Sequence, residues 1–280
     1  MKKWIRQNSP WLITALCTLI SLVLWIVFQN RPNLTSLFIN LTAGFFVSTF
    51  TICIIDRILK KQRERDIKPL QRALYRDVMQ FKHEIVNLWG EMYSQSIENR
   101  ESIPIDQLFT KSVMHDILCH LDLEGNPNII PTRDWFQQTK IVYDELQSKG
   151  NKILERYNTI APPEILQTIH YLINNSVFAG KPLKYISNVK QVDIRNHIPR
   201  TPVLSSYLPE PFELDFSEIH NLLLWCKEYG NRLNGNKDNT IEKVSIINPN
   251  IPPSSIISAE KIANYSLAYQ KWVESKPTIK

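Results

Sequence analysis

His115, Cys119 and His120 form the densest group of chemistry-bearing residues in the chain. His115 and Cys119 stand at i and i+4, on one face of a helix, a spacing that suits two ligands of one metal ion. A four-ligand structural zinc site carries two such short pairs; the second is missing here, and His83 lies elsewhere in the sequence. Cysteine on a helix is more often a small core residue. No metal and no cofactor is expected on these grounds. Thiol catalysis would need Cys119 or Cys226 with a histidine such as His170 or His220, in a setting that activates sulfur. Neither cysteine has the helix-start or elbow context that does so. The sequence holds no GxSxG, Walker A, GxGxxG or HExxH pattern. Asp144, Glu145 and Glu155 read as a solvated helix face. His170, His197 and His220 are the remaining acid–base candidates, with surface or capping roles as the alternative. No catalytic residue is nominated.

The elements around these residues are dominated by two apolar runs. Residues 11–28 and 34–55 contain no charged side chain. A helix rises about 1.5 Å per residue and a bilayer core is about 30 Å thick, so each run can span. A signal peptide is the rival for the first run, but it is long for that role. Gln29-Asn30-Arg31-Pro32 also offers no cleavage site of small residues. A lipoprotein reading of Cys17 fails because Leu16 precedes it. Lys2, Lys3 and Arg6 precede the first run and Arg57, Lys60, Lys61, Arg63 and Arg65 follow the second, whereas the connection holds only Arg31. This bias is expected to place both ends on the cytoplasmic side, with the short connection outside. Trp4, Trp11, Trp25 and Phe28 suit interfacial anchoring, with Trp25 also able to face its partner helix.

Polar and small residues in the runs fall on faces. Thr14, Cys17, Thr18 and Ser21 share one face of the first helix, and Asn40, Ala43, Gly44, Ser48 and Thr51 share one face of the second. Thr14, Thr18, Ser21, Asn40, Gly44 and Ser48 are the expected helix-packing residues. Gly44-x-x-x-Ser48 permits close backbone approach, and Asn40 is costly to leave against lipid. The two faces pack on each other in one hairpin, which the short connection favours, or they also build an oligomer. Ionisable residues inside the spans are absent, which argues against a lone coupled transporter.

The net charge of +6 is localised: residues 57–82 carry nine basic groups against three acids. Arg57, Lys60, Lys61, Arg63, Arg65 and Lys68 are the expected contacts to anionic lipid headgroups, each worth about 1 kcal/mol near the surface. Nucleic acid is the less favoured partner, because the cluster abuts the membrane. Cys17 and Cys53 lie in the runs, and Cys119 and Cys226 are far apart, so no disulfide framework is expected.

The expected fold is all-α. Residues 1–10 form a basic tail, 11–56 a transmembrane hairpin, 57–102 a basic juxtamembrane helix, 103–176 a helical domain, and 177–280 a Pro-rich extended region with terminal helices. Ile67, Leu70, Leu74, Val78, Phe81, Ile85, Leu88 and Met92 make a near-heptad stripe, either a dimer seam over 67–92 or one helix docked on its own domain. Pro69 should kink that helix or start a new one. Gly150 is expected to interrupt a helix over 133–157. No long periodic stretch is expected over 177–215.

A two-span hairpin, then Ile55-Asp56-Arg57-Ile58-Leu59-Lys60-Lys61-Gln62-Arg63-Glu64-Arg65, then helices including the junction Tyr157…Ala161-Pro162-Pro163-Glu164, resembles a broad set of uncharacterised bacterial two-span membrane proteins. Some similar proteins are membrane effectors of anti-phage systems, retron-associated ones among them. The resemblance covers the layout of about the first two-thirds of the chain and implies inner-membrane location more strongly than defence. Three expectations stand in this order: a non-enzymatic membrane-perturbing effector, a membrane-tethered scaffold whose cytoplasmic helices bind a protein partner, and a membrane-bound enzyme with an unrecognised site near His170, His197 and His220.

Overall fold

The hydrophobic periodicity resolves into helices and nothing else of length. The computed structural model of the protein describes residues 2–28, 31–98, 101–127, 131–235, 242–244 and 252–276. In chain order these form α1 (Lys2–Val27), α2 (Pro32–Ser96), α3 (Ile105–Leu108), α4 (Lys111–His120), α5 (Trp135–Tyr157), α6 (Pro163–Asn174), α7 (Lys181–Asn196), a 3-10 turn (Leu204–Ser206), α8 (Glu213–Asn234) and α9 (Ala259–Glu274). The class is all-α, with no strand among the described residues. The chain divides into two compact units, Met1–Leu70 and Gln71–Lys280.

The second unit has an ordinary buried core. Leu74, Val78, Phe81, Ile85, Leu88 and Met92 of α2 are all buried in it, whereas Ile67 and Leu70 stay exposed. From Leu74 to Met92 the stripe is thus taken up by docking on its own unit. Phe178, in the turn after α6, is the aromatic hub. Trp89, Phe109 and Phe216 pack against its ring with centroids 5.6, 5.1 and 5.7 Å away. Trp89 Nε1 also donates to the Phe178 carbonyl at 3.0 Å, so the buried indole keeps a partner.

Three local expectations are corrected. Pro69 lies inside α2, so of its two expected outcomes the start of a new helix does not occur. α5 runs through Gly150 unbroken, because the glycine serves packing: a Cβ there would fall 2.5 Å from Ile173 Cγ2 of α6. α7 fills part of the Pro-rich stretch. Its Pro182 sits in the first turn, where the missing N–H has no intrahelical partner to lose. α7 ends on His197 in the left-handed region (φ 53°), whose N–H bonds back to the helix.

Helix starts follow capping chemistry. The Asp134 carboxylate accepts from Gln137 N at 2.8 Å, and the Ser258 hydroxyl accepts from Lys261 N at 3.1 Å. Pro162 and Pro163 open α6, with Glu164 in its first turn. Elsewhere the irregular arms are pinned by single antiparallel bridges: Val203 to Asp122, Lys243 to Pro104, and Ile256 to Leu121. Such pairing satisfies backbone groups that no helix takes up.

Candidate functional site

The first unit holds most of the residues expected to pack helices or meet lipid. Its two helices are joined at a turn that fixes their phase. Phe28 stacks on Phe38 with ring centroids 5.7 Å apart, and Thr35 Oγ1 donates to the Phe28 carbonyl at 2.9 Å. These contacts turn the Phe38 side of α2 toward α1. Leu34, Thr35, Phe38, Thr42, Phe45, Thr49, Ile52 and Cys53 are partly covered, at spacings of three and four. On α1 the covered residues include Thr14, Cys17, Thr18, Leu24 and Trp25, with Ser21 buried at 6% exposure. Trp25 therefore faces inward, and its Nε1 is covered without an acceptor.

Thr14, Thr18 and Ser21 occupy the covered face as expected. Asn40, Gly44 and Ser48 do not: all three are exposed. At about 100° per residue, Asn40 lies about 200° around α2 from Phe38. The expected mutual packing of the two polar faces is thus corrected on α2. The seam uses Phe38 and Phe45, and the small row looks outward. A Cβ at Gly44 would meet nothing within 4 Å.

Five hydroxyls of this unit are satisfied along their own helices. Thr18, Thr42, Ser48, Thr49 and Thr51 each donate to the carbonyl four residues back at 2.8 Å. This makes hydroxyls tolerable on an apolar helix. The Asn40 amide has no such bond among the described residues. Around it the surface is apolar: Ile39, Phe46, Val47, Phe50 and Ile54 are exposed, as are Ile13, Leu16, Leu19 and Val23 of α1. α2 is long and apolar enough to cross a membrane, and none of its apolar stretch is buried. The described apolar part of α1, Ile13–Val27, is shorter.

Beyond this stretch Arg57, Lys60, Lys61, Arg65 and Lys68 are exposed, and none forms an ion pair among the described residues. The Arg63 side chain lies outside the described residues. Lys82 leaves the basic cluster: it is buried in the second unit, and its Nζ pairs with Glu242. Sequence reading missed that partner, 160 residues away. A lysine on the buried stripe of an amphipathic helix was the available signal.

His170 and His220 are exposed and His197 caps α7; no bond among the described residues joins any two of the three. His220 Nδ1 donates to the Phe216 carbonyl at 2.6 Å. Burial pushes the Cys226 thiol up to about 12, which leaves it unreactive at neutral pH. Burial, then the neighbouring Lys82 charge, pushes His83 below the usual imidazole value. No group of three or more metal-ligating side chains occurs among the described residues. His115 and Cys119 do meet, in company that the sequence did not reveal: His115 Nδ1 lies 3.0 Å from Glu210 Oε1, and Cys119 Sγ lies 3.6 Å from His115 Nε2.

No family model, curated protein or solved structure matches this chain.

Proposed function

We propose that the chain is an integral protein of a bacterial inner membrane, held by α1 and α2 as a two-span hairpin with both termini in the cytoplasm. It acts as a membrane-perturbing effector through association of hairpins. The observation that supports this reading is the exposed row of Asn40, Gly44 and Ser48 on an otherwise apolar helix. In hydrocarbon an unpaired amide is costly, and a second hairpin relieves the cost by hydrogen bonding. Gly44 lets two backbones approach closely. The exposed Arg57, Lys60, Lys61, Arg65 and Lys68 rest on anionic headgroups, and the positive-inside bias sets the orientation. The helical unit beyond them holds the hairpins apart until a trigger arrives. Anti-phage defence is the setting in which the resembling two-span effectors work.

A membrane-potential dye in expressing cells tests the proposal. Depolarisation on overexpression is expected, and Gly44→Leu should abolish it. Absence of depolarisation under any trigger or expression level removes the effector reading.

A tethered scaffold is the second reading. It is favoured by exposed apolar side chains on the second unit, Tyr185, Val192 and Ile194 of α7 with Phe212 and Leu214 at the start of α8. It requires activity to survive exchange of residues 1–56 for an unrelated two-span anchor, and loss of activity in that exchange rules it out.

A further inference from the structure

Cys119, His115 and Glu210 stand in a line. The first two share a face of α4, one turn apart, and the third arrives from the loop before α8. A carboxylate only accepts, so His115 Nδ1–H donates to Glu210 Oε1 at 3.0 Å. That bond selects the tautomer and leaves the Nε2 lone pair for the Cys119 thiol, 3.6 Å away. A nucleophile within reach of a base that is itself oriented by a third group is the arrangement that activates sulfur. It is independent of the buried and inert Cys226.

The openness of the site selects the chemistry. The side chains of His115 and Glu210 are 60% and 73% exposed, so water has free access. Acyl transfer needs donors for a developing oxyanion in a water-excluding pocket. Thiol–disulfide exchange develops no oxyanion and proceeds in water. Metal capture competes poorly, because both ring nitrogens already have partners and no three-ligand group occurs among the described residues.

We infer that Cys119 is a reactive thiol, served by His115 as base and Glu210 as its orienting partner, that exchanges with the disulfides of low-molecular-weight thiols. The Cys119 proton passes to His115 Nε2 as Sγ attacks one sulfur of the disulfide. The S–S bond breaks, the leaving thiolate keeps its electron pair, and the imidazolium returns the proton to it. The products are a mixed disulfide on Cys119 and one free small thiol. Cys119 is oxidised, and the disulfide named supplies the oxidation. The charged and titratable groups along α4 and its ion pairs are Glu210, the Lys111–Glu213 pair one turn before His115, and Asp116 and His120.

The test uses the full chain in detergent, with oxidised glutathione and a chromogenic aryl disulfide as probes and peptide mass mapping to locate the adduct. The unaltered protein should modify Cys119 at least about tenfold faster than His115→Gln at neutral pH. Glu210→Gln should show a smaller loss. Lys111→Ala, which breaks the neighbouring ion pair but not the relay, should react as the unaltered protein does. Cys226 should label only on unfolding, which reports the fold of every variant. The pH profile of the unaltered protein is a second reading. An unassisted thiol gains about tenfold in rate per pH unit below its pKa, whereas a base-assisted one flattens once the imidazole is neutral. Equal rates with and without His115, a full tenfold-per-unit slope from about pH 6 to 8, or a fast adduct mapped to another cysteine each overturns the inference.

Discussion

Apolar side chains of the first unit stay mostly at its surface, whereas those of the second mostly build its core. Leu19, Phe46, Val47 and Phe50 are more than half exposed, whereas Trp89, Phe109 and Phe178 are wholly buried. Hydrogen bonding differs in the same sense. Thr42, Thr49 and Thr51 return their protons to their own helix, whereas Trp135, Tyr157 and Thr168 in the second unit reach across to other elements: Trp135 to Ser255, Tyr157 to Asp77, Thr168 to Glu218. The contrast teaches that the first unit leaves apolar surface uncovered where the second buries it among its own helices. Substitutions can break that contrast or sharpen it.

The largest effect belongs to Trp89. Trp89→Ala deletes a buried indole, its bond to the Phe178 carbonyl and an edge contact, and should lower the stability of the second unit by about 3–5 kcal/mol. Phe46→Ala removes an exposed ring and should leave the unfolding transition of the second unit in place. Urea unfolding followed by circular dichroism compares the two; equal shifts would dissolve the contrast. Next comes the buried cation: Glu242→Gln leaves Lys82 without its counter-charge and should cost about 1–3 kcal/mol in the same measurement.

Two glycines give the sharpest pairing. Gly150→Ala drives a methyl into Ile173 and should destabilise by about 1–3 kcal/mol. Gly44→Ala meets open space and should strengthen its helix by up to about 1 kcal/mol, a change of opposite sign. Thermal melts of both variants decide it, and a large loss at Gly44 would mean that its face is already occupied.

The smallest effect is on α9. Lys261 pairs with Asp122 and Glu124, Lys190 also holds Glu124, and Tyr265 donates to Glu124. Burial pushes Glu124 up, but the hydrogen bonds from Lys190 and Lys261 outweigh it and hold the carboxyl below its ordinary value. Its folded pKa is thus depressed, so its contribution is complete at neutral pH. That contribution fades as the pH falls past the ordinary Glu value of about 4.3 and is gone below the depressed one. Burial pulls Lys261 down, but Asp122 and Glu124 more than reverse this and raise it, so its share is lost only as the pH rises above its folded value. Hydrogen exchange over residues 259–276 should quicken at the acid end before the core helices respond. Unchanged protection at acid pH would show that α9 is held otherwise.

Periodicity made most of the fold legible. The stripe from Leu74 to Met92 marked one buried helix face. What escaped was set by contacts between distant residues. α7 was hidden because prolines suit a first turn as well as a loop, and Gly150 because close packing and helix breaking place the same residue type. The outward phase of Asn40, Gly44 and Ser48 depended on the turn at Phe28 and Phe38, which composition does not encode. Glu210 stands 95 residues from His115, beyond any spacing rule.

A hydroxyl that gives its hydrogen to the carbonyl four residues back keeps only lone pairs to offer a neighbour. Ser48 and Thr51 are in that condition, so along the outward row Asn40 carries the transferable protons and the other two carry the acceptors. A like helix laid against this row brings its own Asn40 amide as a donor, whereas an acyl chain brings none.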